Sequence, residues 1–136
     1  MVPIRMNRLV LLAVCVTPAA VYYVLTQILL MNFGIGEGVS AYMGNVAANF
    51  LGAIGISAII YVALEFFRPE RPAQGQLIMA AAIAVMILAL REFSQISTGG
   101  TFDVNDLLWT VLGGGAFYGV GHWMILSREE DEPVAD

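Results

Sequence analysis

A small set of polar side chains, set in otherwise apolar sequence, carries the chemistry open to this 136-residue chain. Glu92 and Gln95 stand three apart, a spacing that puts both on one face of a helix. Asp103 and Asp106 follow just beyond a Ser97-Thr98-Gly99-Gly100 break, and Thr110 lies four residues after Asp106. Asn45 and Asn49, four apart, complete the set. These groups offer oxygen and amide atoms, with neither thiolate nor imidazole among them. Such a donor set suits a hard cation such as magnesium or calcium. It suits equally a cationic or hydroxyl-rich group, for example the headgroup of an envelope lipid. Paired acids also support proton transfer when burial holds one of them protonated. No nucleophile–base pair accompanies them, so the sequence specifies no reaction.

Composition removes several other functions. With 59% hydrophobic and only 12% charged residues, and a mean hydropathy of +0.78, the chain is far poorer in charge than a soluble domain. Its six basic residues, all Arg, face eleven acids for a net charge of −5, which leaves no basic stripe for phosphates and no nucleic-acid partner. One Cys and one His exclude a disulfide framework and a cysteine- or histidine-rich metal centre. No cofactor is expected, and no metal site is assigned. His122, followed by Trp123, reads as an interfacial residue rather than a pigment or haem ligand.

The elements that must position the polar set are four apolar stretches, at about residues 9–31, 41–67, 76–96 and 104–126. Each supplies the roughly 20 residues that cross a hydrocarbon core, and within lipid continuous apolar runs must be helices. The expected fold is all-α: a polytopic membrane protein whose four transmembrane helices form two antiparallel hairpins. Glycines at 34, 36 and 38, the Arg68-Pro69-Glu70-Arg71-Pro72 turn and the Gly99-Gly100 pair separate them. Arg5, Arg8, Arg68, Arg71 and Arg128 lie on one side against Arg91 alone on the other. The positive-inside rule therefore places both termini in the cytoplasm of a multi-pass inner-membrane protein. Residues 127–136 read as an acidic cytoplasmic tail, and Glu65 as half of a surface pair with Arg68. Arg5 and Arg8 ahead of an apolar run resemble a signal peptide, but the run continues well past Cys15, so cleavage is not expected. Cys15 reads as a small buried apolar residue.

The third stretch is short. Only residues 77–90 are uninterruptedly apolar, about 21 Å of helix, so a spanning helix must carry Arg91, Glu92 and Gln95 at or beneath the outer interface. Ionisable groups at that depth usually face a bundle interior, although Arg91 alone can snorkel to headgroups. Asp103 also has the position of an N-cap, with Asp106 as the reciprocal acid of a capping box.

The second and fourth stretches match locally at an offset of 61: Asn45, Asn49 and Gly52 fall on Asp106, Thr110 and Gly113. Small residues at Gly44, Ala48 and Gly52, and again at Gly113, Gly115 and Gly119, read as ridges for close helix packing. Such ridges favour assembly, so the alternative to a binding site is a non-catalytic scaffold or accessory subunit. On that reading the partners are a homo-oligomer or a larger membrane complex, beside the membrane lipids.

The segment from Arg91-Glu92-Phe93-Ser94-Gln95 through Asp103-Val104-Asn105-Asp106 to Gly113 resembles the signature of the VanZ-like family of small bacterial membrane proteins. Glu92, Gln95, Asp103, Asp106 and Gly113 fall on it, and Gly44-Asn45-Val46 is similar to the family's earlier Gly-Asn element. Gly100 stands where the family usually has an Arg, and Thr110 where it has an Asn. The resemblance implies a cell-envelope membrane protein, without implying a reaction.

Overall fold

The computed structural model describes residues 6–33 and 39–126. They are all-α, with no strand among them: α1 (Met6–Phe33), α2 (Val39–Phe67), α3 (Ala73–Ser97) and α4 (Val104–Gly121). A π-helical turn, His122–Leu126, prolongs α4. Two segments are long and apolar enough to cross a membrane, Gly44–Phe67 of α2 and Ala73–Ser97, the whole of α3. The first helix contributes a shorter apolar stretch, Leu9–Leu25. The fourth is diluted by Asn105, Asp106 and its glycines. Arg5, the glycine-rich 34–38 segment and the acidic tail lie outside the described residues.

The turns follow from their breakers. Pro72, at φ −56° and ψ 136°, stands just before α3 without a side-chain cap. The turn is tied instead by Gln76, whose Nε2 donates 2.7 Å to the Arg68 carbonyl at the end of α2. At the other end of α3, Gly99 takes a left-handed φ of +84°. The Gly100 N–H then reaches the Gln95 carbonyl at 2.8 Å and the Gly99 N–H reaches that of Ile96 at 3.3 Å, a Schellman closure. α3 thus runs unbroken through Arg91, Glu92 and Gln95, as its length demanded.

α2 is the central helix. It packs against α1, α3 and α4, most extensively α4, while α1 touches α4 only slightly and does not meet α3 among the described residues. Asn49 meets Asp106, Phe50 lies edge-on to Trp109 at 6.3 Å, and Tyr61 meets Phe117 at 6.3 Å. Both numbers rise together, so α2 and α4 run parallel. α3 runs the other way along α4, with Val85 and Ala81 beside Gly114 but Leu77 beside Gly121. α1 is likewise reversed against α2: Tyr22 donates to the Gly44 carbonyl, whereas Ala19 and Cys15 face Gly55. Cys15 is buried in that contact.

Small residues make these approaches possible. A Cβ on Gly113 would strike the Phe50 carbonyl oxygen and come within 2.8 Å of the Ala53 Cβ. One on Gly114 would meet Val85 Cγ2 at 2.8 Å, and one on Gly121 would meet Leu77 Cδ2 at 2.6 Å. Gly44 has ordinary contact with the Tyr22 hydroxyl, but Gly52, Gly115 and Gly119 have open space at the Cβ position, and Ala48 is exposed. The seam of α4 within the chain is therefore Gly113, Gly114 and Gly121, in place of the expected Gly115 and Gly119. Thr110, Gly113, Gly114, Phe117 and Gly121 form one buried stripe, and positions 115 and 119 sit behind it on a 3.6-residue turn.

The distribution of apolar size is inverted relative to a water-soluble bundle. The interior uses Ala53, Ala58, Ala80 and Ala84 beside a few large side chains such as Leu77 and Phe117. Ile59, Met86, Leu90, Val104 and Leu108 are each more than half exposed. Large apolar side chains turned outward around a small-residue interior are what lipid solvation permits.

Substituting Ala at Gly113 should force α2 and α4 apart and cost about 1–3 kcal/mol, the scale of overpacking in a filled interior. Gly115→Ala should be neutral or slightly stabilising, because helix propensity improves and nothing is displaced. Thermal unfolding of the two variants in detergent, followed by far-UV circular dichroism, checks the contrast.

Candidate functional site

Three helices deliver polar groups to one end of the bundle. On α3 the buried stripe Gln76, Leu77, Ala80, Ala84 and Leu88 ends at Glu92, which is only 4% exposed. Gln95, one turn on and half-buried, donates from Nε2 to Glu92 Oε1 at 3.2 Å. The three-residue spacing thus does what a helix face predicts, and locks the pair together.

On α4 the two acids divide their work. Asp103 is the N-cap, accepting from the Asn105 N–H at 2.8 Å. Asp106 takes up no return bond to Asp103; its carboxylate lies close to the Asn49 side chain of α2, near enough for the amide to act on it. The capping box expected from their spacing is therefore only half formed. Asn49 is 8% exposed, whereas Asn45, one turn outward, is exposed and stands apart. Thr110, 1% exposed, turns its hydroxyl back to the Asp106 carbonyl at 2.8 Å, which fixes that turn of helix but leaves the hydroxyl committed.

Depth follows from the seam. Gly114 faces Val85, and α3 and α4 are antiparallel, so the two helical turns from Gly114 out to Asp106 bring that acid to the level of Glu92. Arg91, exposed on the neighbouring face of α3, and Asp103 are both near enough to act electrostatically on Asp106. Arg91 is the member that the sequence left outside the candidate set, as a residue able to snorkel to headgroups. Its position next to Glu92 in a helix too short to exclude it was the available signal. The cluster's charge is two negative in sum, from Glu92, Asp103 and Asp106 against Arg91.

The polar residues thus lie toward one end of the bundle in two groups: Glu92 with Gln95 on α3, and Asp106 with Asn49, Asp103 and Arg91 near enough to act on it. Thr110 buttresses the second group, and Asn45 is exposed. Among the described residues no three of His, Cys, Asp and Glu come together as a metal-holding group. The remaining buried polar residues, Ser57, Glu65 and Gln76, belong to the opposite half. Glu65 in particular is buried, where the sequence implied a surface position. There His122 is exposed, its ring 5.9 Å from that of Tyr118. No family model, curated protein or solved structure matches this chain.

Asn49→Ala should remove a buried amide that faces the Asp106 carboxylate across the α2–α4 interface and destabilise the fold by about 1–3 kcal/mol. Asn45→Ala, at an exposed position, should stay within about 0.5 kcal/mol of the parent. Chemical or thermal unfolding in one detergent distinguishes them.

Proposed function

We propose that this chain is a four-span, VanZ-like integral protein of the inner membrane, arranged as two antiparallel hairpins with both termini cytoplasmic, that holds the headgroup of an envelope lipid in the outer half of its bundle. The observation that carries this reading is Glu92, a carboxylate almost wholly enclosed at the end of a buried helical stripe, with a single amide hydrogen bond to compensate it. Ionised groups at such a position in a membrane are expensive and mark sites of function. The outward-turned apolar residues and the two membrane-length helices support placement in lipid. The turn that carries exposed Arg68 and Arg71 supports a cytoplasmic α2–α3 connection. The family reading rests on the motif residues Glu92, Gln95, Asp103, Asp106 and Gly113 in the sequence. A headgroup is favoured over a divalent cation, because among the described residues the acids do not form the multi-oxygen cage such an ion needs.

A second reading, a scaffold within a larger assembly, is favoured by one observation. Gly115 and Gly119 open onto an exposed face of α4 alongside Val111 and Leu112.

Two measurements test the proposal. In a Cys15→Ala background, a cysteine at Thr98 should react with an impermeant maleimide added outside intact cells, and one at Glu70 only after permeabilisation; the reverse pattern rejects the orientation. Delipidated protein should be stabilised by envelope lipid extract, by about 2.7 kcal/mol at a hundred times the dissociation constant. Glu92→Ala and Asp106→Ala should abolish that gain while Gly115→Leu and Gly119→Leu retain it. If the glycine variants lose oligomers and the acid variants behave as the parent, the chain is a scaffold.

A further inference from the structure

The end of the bundle opposite Glu92 carries an exposed surface that is apolar and basic at once. Phe66 and Phe67 close α2 at 61% and 77% exposure, their rings edge to face at 5.3 Å. Arg68 and Arg71 follow, both exposed, and neither forms a salt bridge among the described residues. The backbone beneath them is fixed. The Arg68 carbonyl accepts from the Arg71 N–H at 3.2 Å and from the buried Gln76 Nε2 at 2.7 Å. Pro69 and Pro72 restrict the chain on either side of this turn. Two guanidinium-bearing positions are thus held at one edge of the bundle, directly beyond two outward aromatic rings. From Pro72 to Arg91, α3 rises about 28 Å, close to the roughly 30 Å of a hydrocarbon core. A bilayer spanned by α3 therefore brings the turn to the level of headgroup phosphates and the two rings to the acyl boundary.

We propose that the α2–α3 turn is a binding surface for anionic phospholipid, with Arg68 and Arg71 gripping headgroup phosphate and Phe66 and Phe67 entering the acyl boundary beside it. The inference rests on the membrane placement above and is independent of the headgroup site at the other end. A guanidinium grips phosphate through two parallel hydrogen bonds, and one with no carboxylate partner keeps its donors free for that contact. Two positive charges stand against the single negative charge of Glu70, so the turn complements a leaflet of net negative charge. The rings choose between anionic occupants. The chain's own tail, with Glu129, Glu130, Asp131 and Glu132, has the charge to meet the arginines. It has no apolar surface to offer two phenyl rings that are more than half exposed. An amphiphile supplies hydrocarbon and phosphate at adjacent depths, the order in which the chain presents Phe66, Phe67 and Arg68. Because hydrogen bonds and two prolines already fix the turn, little backbone freedom is lost when a lipid binds.

The full chain in nanodiscs of equal parts phosphatidylglycerol and phosphatidylcholine, released for native mass spectrometry, tests this directly. The parent should retain phosphatidylglycerol at least about fivefold over phosphatidylcholine, the scale of one Arg near an anionic surface. Arg68→Gln and Arg71→Gln should each lower that ratio, and the two together should bring it to parity. Phe66→Ser with Phe67→Ser should reduce retention of both lipids. Equal retention of the two lipids by the parent overturns the proposal. A preference that survives the double arginine variant but is lost in Arg91→Gln places the anionic lipid at the other end of the bundle and also rejects it. If the parent gains its preference only when Glu129, Glu130, Asp131 and Glu132 are changed to amides, the tail occupies the arginines and the lipid assignment falls. A chain recovered in water instead of in nanodiscs overturns the membrane placement as well. The single variants, each at an exposed side chain, keep the comparison decisive if the double variant does not fold.

Discussion

The outer half of this bundle depends on one contact, the backbone of α4 at Gly113 pressed against the Phe50 carbonyl and Ala53 of α2. No side chain fits between them, so the two helices are set at the closest separation their backbones allow. Everything outward of that point inherits its register. Asn49, one residue before Phe50, and Asp106, two turns before Gly113, are brought close together because the seam fixes where α4 lies along α2. In lipid there is no hydrophobic force to squeeze apolar helices together, so small residues at the seam and polar bonds across it must do that work. Here the two are neighbours, and each limits the freedom of the other.

The same constraint explains why α2 bears so much of the structure. It is in contact with every other helix, and its positions 49, 53, 57, 61 and 65, each four residues apart, are all buried. Four of those five are polar or carry a hydroxyl. On this stripe Ser57 returns its hydroxyl to the Ala53 carbonyl at 2.7 Å, a local solution that needs no partner helix. Asn49 makes no such local bond, and its amide lies close to Asp106 of α4 instead. The polar residues nearest the seam thus divide into those that close on their own helix and the one that faces another.

Much of this was legible in the sequence and some was not. The four helices, their breakers and the extension of α3 through its charged end follow from apolar run lengths and from Pro72, Gly99 and Gly100, which act locally. The facing of Glu92 with Gln95 follows from helical periodicity alone. The match at an offset of 61 set Asn45 level with Asp106 and Gly52 with Gly113, whereas the structure has Asn49 beside Asp106 and Phe50 and Ala53 against Gly113. Periodicity says which residues share a face; it does not say which of several glycine faces meets a neighbour. α4 has glycines at 113, 114, 115, 119 and 121, hence on nearly every side, and the choice among them is made by α2 and α3 together. The capping box between Asp103 and Asp106 was likewise a fair local reading, of which the structure forms only the Asp103 half.

Asymmetry in the bundle then decides how the site is reached. α1 lies on the far side of α2 and never meets α3 among the described residues, so no fourth helix covers the flank where α3 and α4 adjoin. That flank carries Phe93, Ile96, Val104 and Leu108, all more than half exposed, with Phe93 stacked on Phe102 at 5.0 Å across the outer turn. An exposed apolar flank beside a polar end is consistent with the proposed lipid headgroup, since the tail of an amphiphile can lie along α3 and α4 there. The division between a charged end and an uncovered apolar wall, both produced by the way α2 gathers its neighbours, supports the proposal that this bundle is solvated by lipid.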